Sequence, residues 1–295
     1  MELIVDKLLD YAIEKQISDI HLMKKGDRIS MAYRGIKGLL PVNSEVPPAF
    51  LSYLLYLARL DISFKAKPQT GMFTYYHDYK KYSVRVAMMQ SFENLSVVLR
   101  ILNQHQFKEF KDLSDDWLAS KKLTSLLNLE YGLIIFSGPT GSGKTTSAYT
   151  LLNHFFNRAI YSIEDPIEVH HENLVQIQVN EQLKFGFEQG IKHILRHDPD
   201  VIFIGEIRDS NSAKMAIRCA LSGHLVVSTI HSGTAYSTIN RFLDFGVNKE
   251  DLSEVMKTIV NQRLYYQKEK GRNLANFEIL SEKEIVAWIE KKIEN

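Results

Sequence analysis

Apolar and polar residues follow two different periods along the first hundred residues. Apolar positions recur every three or four residues over 2–15 and again over 47–60, which predicts two amphipathic helices. Strand-like runs, bounded by turn residues, lie at 27–34, 38–42, 72–77, 82–88 and 95–102. This mixture predicts a small α+β domain over residues 1–103. The polar stretch 104–117 sustains neither period, so we interpret it as a linker.

From residue 118 onward, predicted strands and helices follow one another in turn. Strand-like runs lie at 132–137, 159–163, 175–179, 201–204 and 225–230, and helical stretches lie at 144–156, 185–196 and 211–222. This alternation predicts an α/β domain over residues 118–245, with a mostly parallel sheet covered by helices. The pattern over residues 246–295 predicts a mainly helical C-terminal segment.

The charge balance limits the partners that the chain can bind. Its 295 residues include 36 basic and 35 acidic side chains, which gives a net charge of +1. Because a protein that coats nucleic acid needs a pronounced basic excess, we expect no direct nucleic-acid binding. The N-terminus lacks the features of a signal peptide, and no apolar stretch reaches the roughly 20 residues that span a bilayer. We therefore expect a soluble, cytosolic protein.

The chain has one cysteine, Cys219, which excludes a disulfide framework and a four-cysteine zinc module. Its thiol lies within the apolar stripe of the predicted helix 211–222. A packed side chain is therefore a better interpretation than a reactive thiol.

Residues 138–145 fit the phosphate-loop pattern G-x-x-x-x-G-K-[S/T] between a predicted strand and a predicted helix. Glycines allow successive backbone N–H groups to turn toward phosphates, and the helix N-terminus adds about half a positive charge. Lys144 is expected to reach the β- and γ-phosphates, and the Thr145 hydroxyl to ligate Mg²⁺. The sequence thus predicts a nucleoside-triphosphate site made by Gly138, Thr140, Gly141, Ser142, Gly143, Lys144, Thr145 and Thr146.

Carboxylates follow two of the predicted strands near this loop. Glu206 comes shortly after the buried run 201–204, and the pair Glu164 and Asp165 follows the run 159–163. Carboxyl ends of parallel strands share one edge of a sheet, so these acids are expected beside the phosphate loop. They are more than Mg²⁺ needs, and one of them can orient or deprotonate the attacking water. For Glu164 and Asp165, a solvated turn is the alternative.

Two histidines bracket the predicted strand 225–230. His224 and His231 are seven residues apart, which corresponds to about 23 Å in an extended chain, so they cannot share a metal. His224 can equally be an ordinary loop or helix-end histidine. The adjacent His170 and His171 are interpreted as surface residues.

Several short motifs occur in a fixed order along residues 15–280. They are residues 18–22 (SDIHL), 163–168 (IEDPIE), 197–200 (HDPD) with 205–209 (GEIRD), 223–225 (GHL) with 228–232 (STIHS), and 261–264 (NQRL) with 278–280 (EIL). Together with the phosphate loop, this series resembles the type II secretion, type IV pilus and competence ATPases. The chain lacks the zinc-binding tetracysteine insert of many assembly ATPases, and it most resembles the competence (ComGA-like) branch.

The resemblance implies a PAS-like N-terminal domain, a RecA-like core and a homo-hexameric ring. It implies that Glu206 and Thr145 hold Mg²⁺ and that Glu164 activates the hydrolytic water, although the sequence leaves open whether Glu164 and Glu206 exchange roles. Arg85 and Arg100 match N-terminal arginines that the family directs at the nucleotide. Apart from the resemblance, ordinary solvated side chains are the alternative, since Arg85 lies on the polar face of its strand. The remaining family positions are His231 for nucleotide sensing and, for coupling, His224, Arg208 and Asp165.

The resemblance therefore implies a Mg²⁺-dependent ATPase at the inner face of the membrane. It would drive a polytopic membrane platform protein and extrude a competence pseudopilus, a type IV-like pilus, for DNA uptake. Three alternatives stay open at this stage: a pilus-retraction motor of the same architecture, a nucleic-acid-dependent RecA-like motor, and a nucleotide-gated scaffold that does not hydrolyse ATP.

Overall fold

The structure is a computed structural model of the chain, and it describes residues 1–15, 17–35, 38–42, 46–63, 67–91, 94–102, 109–167, 169, 171–179, 185–270 and 272–291. The chain divides into two compact units. The first is Met1–Gln104 with Glu168–His170, and the second is His105–Ile167 with His171–Asn295.

The first unit combines two helices with strands that pair antiparallel. Its helices are α1 (Glu2–Glu14) and α2 (Ala49–Leu57). Its strands are β1 (Asp19–Lys25), β2 (Arg28–Gly35), β3 (Gly38–Val42), β4 (Gln69–His77), β5 (Lys80–Gln90) and β6 (Asn94–Leu102). They form one sheet in the order β3-β2-β1-β6-β5-β4. The predicted mixture of helices and hairpin strands is confirmed, and β1 is a strand that the pattern did not predict.

One face of this sheet packs on the two helices. Alternate residues of the central strands point into the core, such as Ile20, Val86 and Leu99, and they meet the apolar stripes of α1 and α2. The other face carries polar and charged side chains, including Asp19, Arg85 and Arg100. The period-two pattern of β5 therefore reflects a sheet that is buried on one side.

The second unit has a sheet with helices packed against it. Its helices are α3 (Phe110–Leu113), α4 (Trp117–Ser125), α5 (Lys144–Asn153), α6 (Phe187–Ile194), α7 (Ser210–Leu221), α8 (Ala235–Asp244), α9 (Lys249–Val255) and α10 (Glu282–Lys291). Its strands are β7 (Gly132–Ser137), β8 (Ile160–Glu164), β9 (Val175–Gln178), β10 (Val201–Ile207), β11 (Leu225–Ile230), β12 (Met256–Gln267) and β13 (Arg272–Ser281).

The strand order in this sheet is β13-β12-β7-β11-β10-β8-β9. All neighbouring pairs from β12 to β9 are parallel, and β13 pairs antiparallel with β12. The predicted mostly parallel sheet is therefore confirmed. Parallel pairing places the carboxyl ends of β7, β8, β10 and β11 at one edge, where the loops that follow them can form a site.

The prediction of a mainly helical segment over residues 246–295 is wrong. Strands β12 and β13 form a long hairpin there, and β12 extends the sheet beside β7. The apolar residues Met256, Ile259 and Val260 are spaced as on a helix, but both faces of this part of β12 are buried. A strand covered on both faces gives a continuous buried run instead of an alternating one, so its sequence lacks the period that identifies a strand.

The prediction for the ends of helix α7 is confirmed, whereas the predicted linker 104–117 contains helical structure. Helix α7 begins and ends as its sequence predicts, because Asp209 caps its N-terminus and Gly223 follows its end with φ +91°. The predicted linker 104–117 is not without structure, since it contains the short helix α3, and Asp116 caps α4. Residues 103–108 lie outside the part of the chain that the structure describes.

Candidate nucleotide site

The phosphate loop connects the carboxyl end of β7 to the N-terminus of α5. Gly138, Gly141 and Gly143 all have positive φ, the left-handed backbone that glycine adopts without strain. At Gly138 a side chain is also excluded by space, because a Cβ there would lie 2.4 Å from the carbonyl oxygen of Gln262. The loop therefore needs glycine for both its conformation and its packing.

The residues that are predicted to bind a nucleotide lie in this turn and at the start of α5. Thr140 and Gly141 are exposed, Thr145 and Thr146 are half-buried, and Ser142 and Lys144 are buried. The Ser142 hydroxyl has no hydrogen-bond partner among the described residues, so it is a buried donor in the turn that phosphates would enter. Lys144 Nζ donates to the carbonyl oxygens of Gly138 at 3.0 Å and Pro139 at 2.9 Å.

A chain of charged and polar contacts leads from Lys144 to the acids at the sheet edge. Lys144 Nζ lies 3.4 Å from His231 Nδ1, and His231 Nε2 lies 2.8 Å from Glu206 Oε1. Arg208 Nε donates to Glu206 Oε2 at 2.7 Å, and Arg208 Nη1 is 3.8 Å from Asp165 Oδ2. The structure thus brings together the loop lysine with His231, Glu206, Arg208 and Asp165.

Glu164 is the last residue of β8. It lies next to this series of contacts, but in a different environment. Its side chain is buried, and a Cβ on Gly205 would come within 3.1 Å of Glu164 Cγ. Its carboxylate accepts hydrogen bonds from Tyr149, Ser162 and Gln176. The solvated-turn alternative is therefore wrong for Glu164, whereas Asp165 is exposed as that alternative expects.

Strand β12 provides contacts to the phosphate loop that the sequence analysis missed. The Ser147 hydroxyl donates to Gln262 Oε1 at 2.8 Å, and Gln262 Nε2 lies 2.8 Å from where a Cβ on Gly143 would be. Asn261 Nδ2 donates to the Ser137 hydroxyl at 3.0 Å. Asn261 and Gln262 belong to the NQRL motif, and a helix over this segment would give no reason to expect them beside the loop. In a strand parallel to β7, these residues run directly alongside the loop.

Arg85 and Arg100 belong to the first unit. They are register partners on β5 and β6, and their side chains share the face of the sheet opposite the helices. Arg100 Nε donates at 2.6 Å to Asp19 Oδ1 on β1, and the Asp19 carboxylate is almost fully buried while the Arg100 side chain is 56% exposed. Arg100 is thus anchored at one end and accessible at the other.

Three further residues are not brought to the phosphate loop. His224 precedes β11, at the opposite end from His231, and its Nδ1 contacts the Ser222 hydroxyl at 3.0 Å. Cys219 is buried on α7, and burial raises the pKa of its thiol to about 11, as expected for a packed side chain. His171 is buried and stacks on Tyr149, so the prediction that it lies at the surface is wrong, and His170 lies outside the described residues.

The residues present fit a magnesium ion that is shared with a nucleotide. Mg²⁺ prefers hard oxygen ligands and is usually held by one or two carboxylates together with substrate phosphates. The Thr145 hydroxyl and the Glu206 carboxylate offer this chemistry, and the Glu206 side chain is 20% exposed. Among the described residues, no cluster of three or more histidine, cysteine or acidic side chains could hold a metal without such help. None of the described helices is both long enough and apolar enough to cross a bilayer.

Two solved protein structures have the same fold as this chain. The crystal structure of the pilus retraction motor PilT with bound ADP superposes with a TM-score of 0.77 and 29% identity, over 98% of this chain and 87% of that one. The DotB ATPase of Legionella pneumophila has the same fold, with a TM-score of 0.71 and 20% identity, over 99% of this chain and 88% of that one. The chain thus shares an α/β fold with mixed sheets with these two proteins.

Comparison with known sequences identifies the family. The competence protein ComGA of Bacillus subtilis is 34% identical over 270 residues, which span 90% of this chain and 76% of that protein. The putative type II secretion system protein E of Escherichia coli is 34% identical over 267 residues, 88% of this chain and 54% of that protein. The family profile described as "Type II/IV secretion system protein" matches residues 1–286. The chain therefore belongs to the type II/IV secretion system protein family, which comprises secretion, pilus and competence ATPases.

Proposed function

We propose that this protein hydrolyses ATP with Mg²⁺ in a RecA-like core and passes the energy to a membrane-embedded machine. The observation that carries this proposal is the contact series from Lys144 through His231 to Glu206. It connects the loop after β7, which would hold the phosphates, to a carboxylate near the end of β10, two strands away in the sheet. A scaffold that only binds nucleotide has no need for such a connection between the phosphate loop and the acids.

Each residue has a defined part in this reaction. The amides of the phosphate loop and Lys144 bind the β- and γ-phosphates, and Thr145 with Glu206 holds the metal. A metal held by these residues would neutralise the negative charge that develops on the phosphates. Glu164 orients the attacking water, and His231 reports the state of the phosphates to Glu206. The roles of Glu164 and Glu206 can be exchanged, and substitution distinguishes them.

We further propose that the protein works as a homo-hexamer. The accessible guanidinium of Arg100, with Arg85 beside it, would act on nucleotide in the ring. An arginine that stabilises the transferring phosphoryl group raises the rate by about 10³–10⁵. The first unit would then be the PAS-like domain that presents these arginines.

The similarity to two ComGA proteins, at 34% and 37% identity, supports a role in competence. In this role the protein lies in the cytoplasm at the inner face of the membrane and acts on a polytopic platform protein. Extrusion of a type IV-like pseudopilus then serves DNA uptake. Membrane contact is indirect, through the platform protein.

A pilus-retraction motor is the second candidate, and the similarity to the PilT structure favours it. Gene disruption distinguishes the two roles. Loss of an extension motor prevents filament formation, whereas loss of a retraction motor leaves filaments that cannot shorten. A nucleic-acid motor instead requires ATP hydrolysis that DNA stimulates and binding that falls steeply with salt. The net charge of +1 weighs against that third candidate.

The test of the proposed chemistry is phosphate release by the purified protein and its Glu164→Gln and Glu206→Gln variants. We expect turnover to fall by about 10²–10⁴-fold in the variant that lacks the general base. Glu290→Gln, at an exposed position on α10, is the matched control and is expected to keep wild-type turnover. Biological activity that survives both active-site substitutions would support a scaffold and contradict the proposal.

A further inference from the structure

The carboxylate of Glu164 is surrounded by hydrogen-bond donors from three elements. The Tyr149 hydroxyl donates to Oε2 at 2.6 Å, the Ser162 hydroxyl donates to Oε1 at 2.7 Å, and Gln176 Nε2 donates to Oε1 at 3.1 Å. Gln176 Nε2 also lies 3.1 Å from the Tyr149 oxygen. Donors on both oxygens prevent the carboxylate from rotating, so its direction is fixed by its neighbours.

Tyr149 differs from the other two donors because it belongs to α5, the helix that begins at Lys144. Its ring is 1% exposed and packs at 5.3 Å from the ring of Phe203 and at 6.1 Å from the ring of His171, which is stacked on it. The ring of Tyr149 is therefore packed between Phe203 on β10 and His171. A displacement of α5 that accompanies a change at the phosphate loop can therefore reach Glu164 through the Tyr149 hydroxyl.

We propose that Tyr149 is a positioning residue that aligns Glu164 with the phosphate loop. This proposal rests on the proposed function, in which Glu164 orients the hydrolytic water. A buried carboxylate needs hydrogen bonds to stay ionised, and those to a charged acceptor are the strongest. The Tyr149 hydroxyl supplies one of them from the same helix that carries Lys144 and Thr145, so the carboxylate and the phosphate ligands share one rigid frame.

The direct test is Tyr149→Phe, which removes the hydroxyl and keeps the packed ring. Loss of alignment lowers kcat, whereas the KM for ATP and the affinity for a non-hydrolysable analogue stay within about twofold, because the phosphate ligands are intact. We expect kcat to fall about tenfold. Tyr161→Phe is the matched control, since Tyr161 lies on β8 with Glu164 but is not among the three donors to its carboxylate. We expect this control to keep wild-type kcat.

A double-mutant cycle shows whether Tyr149 acts through Glu164. In the Glu164→Gln background, we expect Tyr149→Phe to cause no further loss of the residual rate. Gln176→Leu provides a second test of the same carboxylate, with a smaller loss of kcat that also disappears in this background. Thermal unfolding of each variant checks that the fold is kept.

The outcomes separate this proposal from the one on which it rests. Wild-type kcat in Tyr149→Phe, or the same fractional loss with and without Glu164, would overturn the positioning role. Wild-type turnover in Glu164→Gln alone would instead overturn the assignment of Glu164, whatever Tyr149→Phe does.

Discussion

His231 Nε2 lies 2.8 Å from Glu206 Oε1, while the other ring nitrogen of His231 faces the ammonium group of Lys144 at 3.4 Å. The imidazole of His231 therefore bridges the ammonium group of Lys144 and the carboxylate of Glu206 on β10. A ligand that draws Lys144 toward its phosphates would change the contact of Lys144 with His231 Nδ1. Movement of the ring would then change the contact of His231 Nε2 with Glu206. We propose that this bridge lets the site detect whether a γ-phosphate is present.

Removal of the bridge is expected to separate binding from hydrolysis. In His231→Ala, we expect ATP affinity to change by less than about threefold and kcat to fall at least tenfold, because Lys144 and the loop amides still hold the phosphates. Equilibrium binding of a fluorescent ATP analogue and steady-state phosphate release measure the two effects. His193→Ala, at an exposed position on α6, is the matched control, and an equal loss in that variant would contradict a specific role for His231.

Arg100 tests the role of the first unit. Arg100→Ala is expected to lower turnover by about 10³-fold or more while nucleotide affinity changes little, since an arginine directed at the transferring phosphoryl group acts in the transition state. Arg28→Ala, exposed on β2, is the control. Near-normal hydrolysis by Arg100→Ala would remove this residue from the mechanism.

Asp19 holds Arg100 and gives a related test. In Asp19→Asn the hydrogen bond to Arg100 Nε loses its charge, and the arginine gains freedom on an exposed surface. We expect turnover to fall several-fold, less than in Arg100→Ala. Turnover as low as in Arg100→Ala would show that Asp19 has a role beyond anchoring the arginine.

Gln262 fixes the phosphate loop from the side of β12. Gln262→Ala leaves the buried Ser147 hydroxyl without its acceptor, so we expect the free energy of unfolding to fall by about 1–3 kcal/mol and ATP affinity to weaken. Chemical denaturation and nucleotide titration measure the two effects. Asn276→Ala, exposed on β13, is expected to change neither.

The buried thiol of Cys219 predicts a pH dependence. Its pKa is raised to about 11 in the folded protein from an ordinary value of 9.0, so the folded state retains a proton that the unfolded state releases above pH 9. Stability is therefore unaffected below pH 9 and falls as the pH rises from 9 to 11. Cys219→Ala removes this part of the decline, which urea unfolding at pH 8 and pH 10.5 would detect. An identical decline in both proteins would contradict the assignment.

The phosphate loop and the acids at the strand ends could be predicted from the sequence because each depends on local chemistry. Gly138, Gly143 and Lys144 belong to one short turn with a recognisable sequence motif. Glu206 follows a predicted strand of a sheet that the alternation of strands and helices predicts to be parallel. The parallel sheet then brings their loops to one edge. For such residues, the order of elements along the chain is enough to place them together.

The partners of these residues could not be predicted, because they depend on contacts between distant parts of the chain. Nothing local to Tyr149 or Gln176 shows that both donate to Glu164. The position of Gln262 beside the phosphate loop follows from β12 pairing with β7, a pairing that its helix-like apolar spacing conceals. Burial on both faces removes the signal that would identify the strand.

The central claim is that a triphosphate binds at the amides that precede Lys144. The most direct measurement is calorimetric titration of the purified protein with a non-hydrolysable ATP analogue and Mg²⁺, alongside Lys144→Ala and the surface control Lys283→Ala. We predict saturable binding to the wild type and to Lys283→Ala, and binding weakened at least tenfold in Lys144→Ala. Equal affinity in all three proteins, or none in the wild type, would contradict the account.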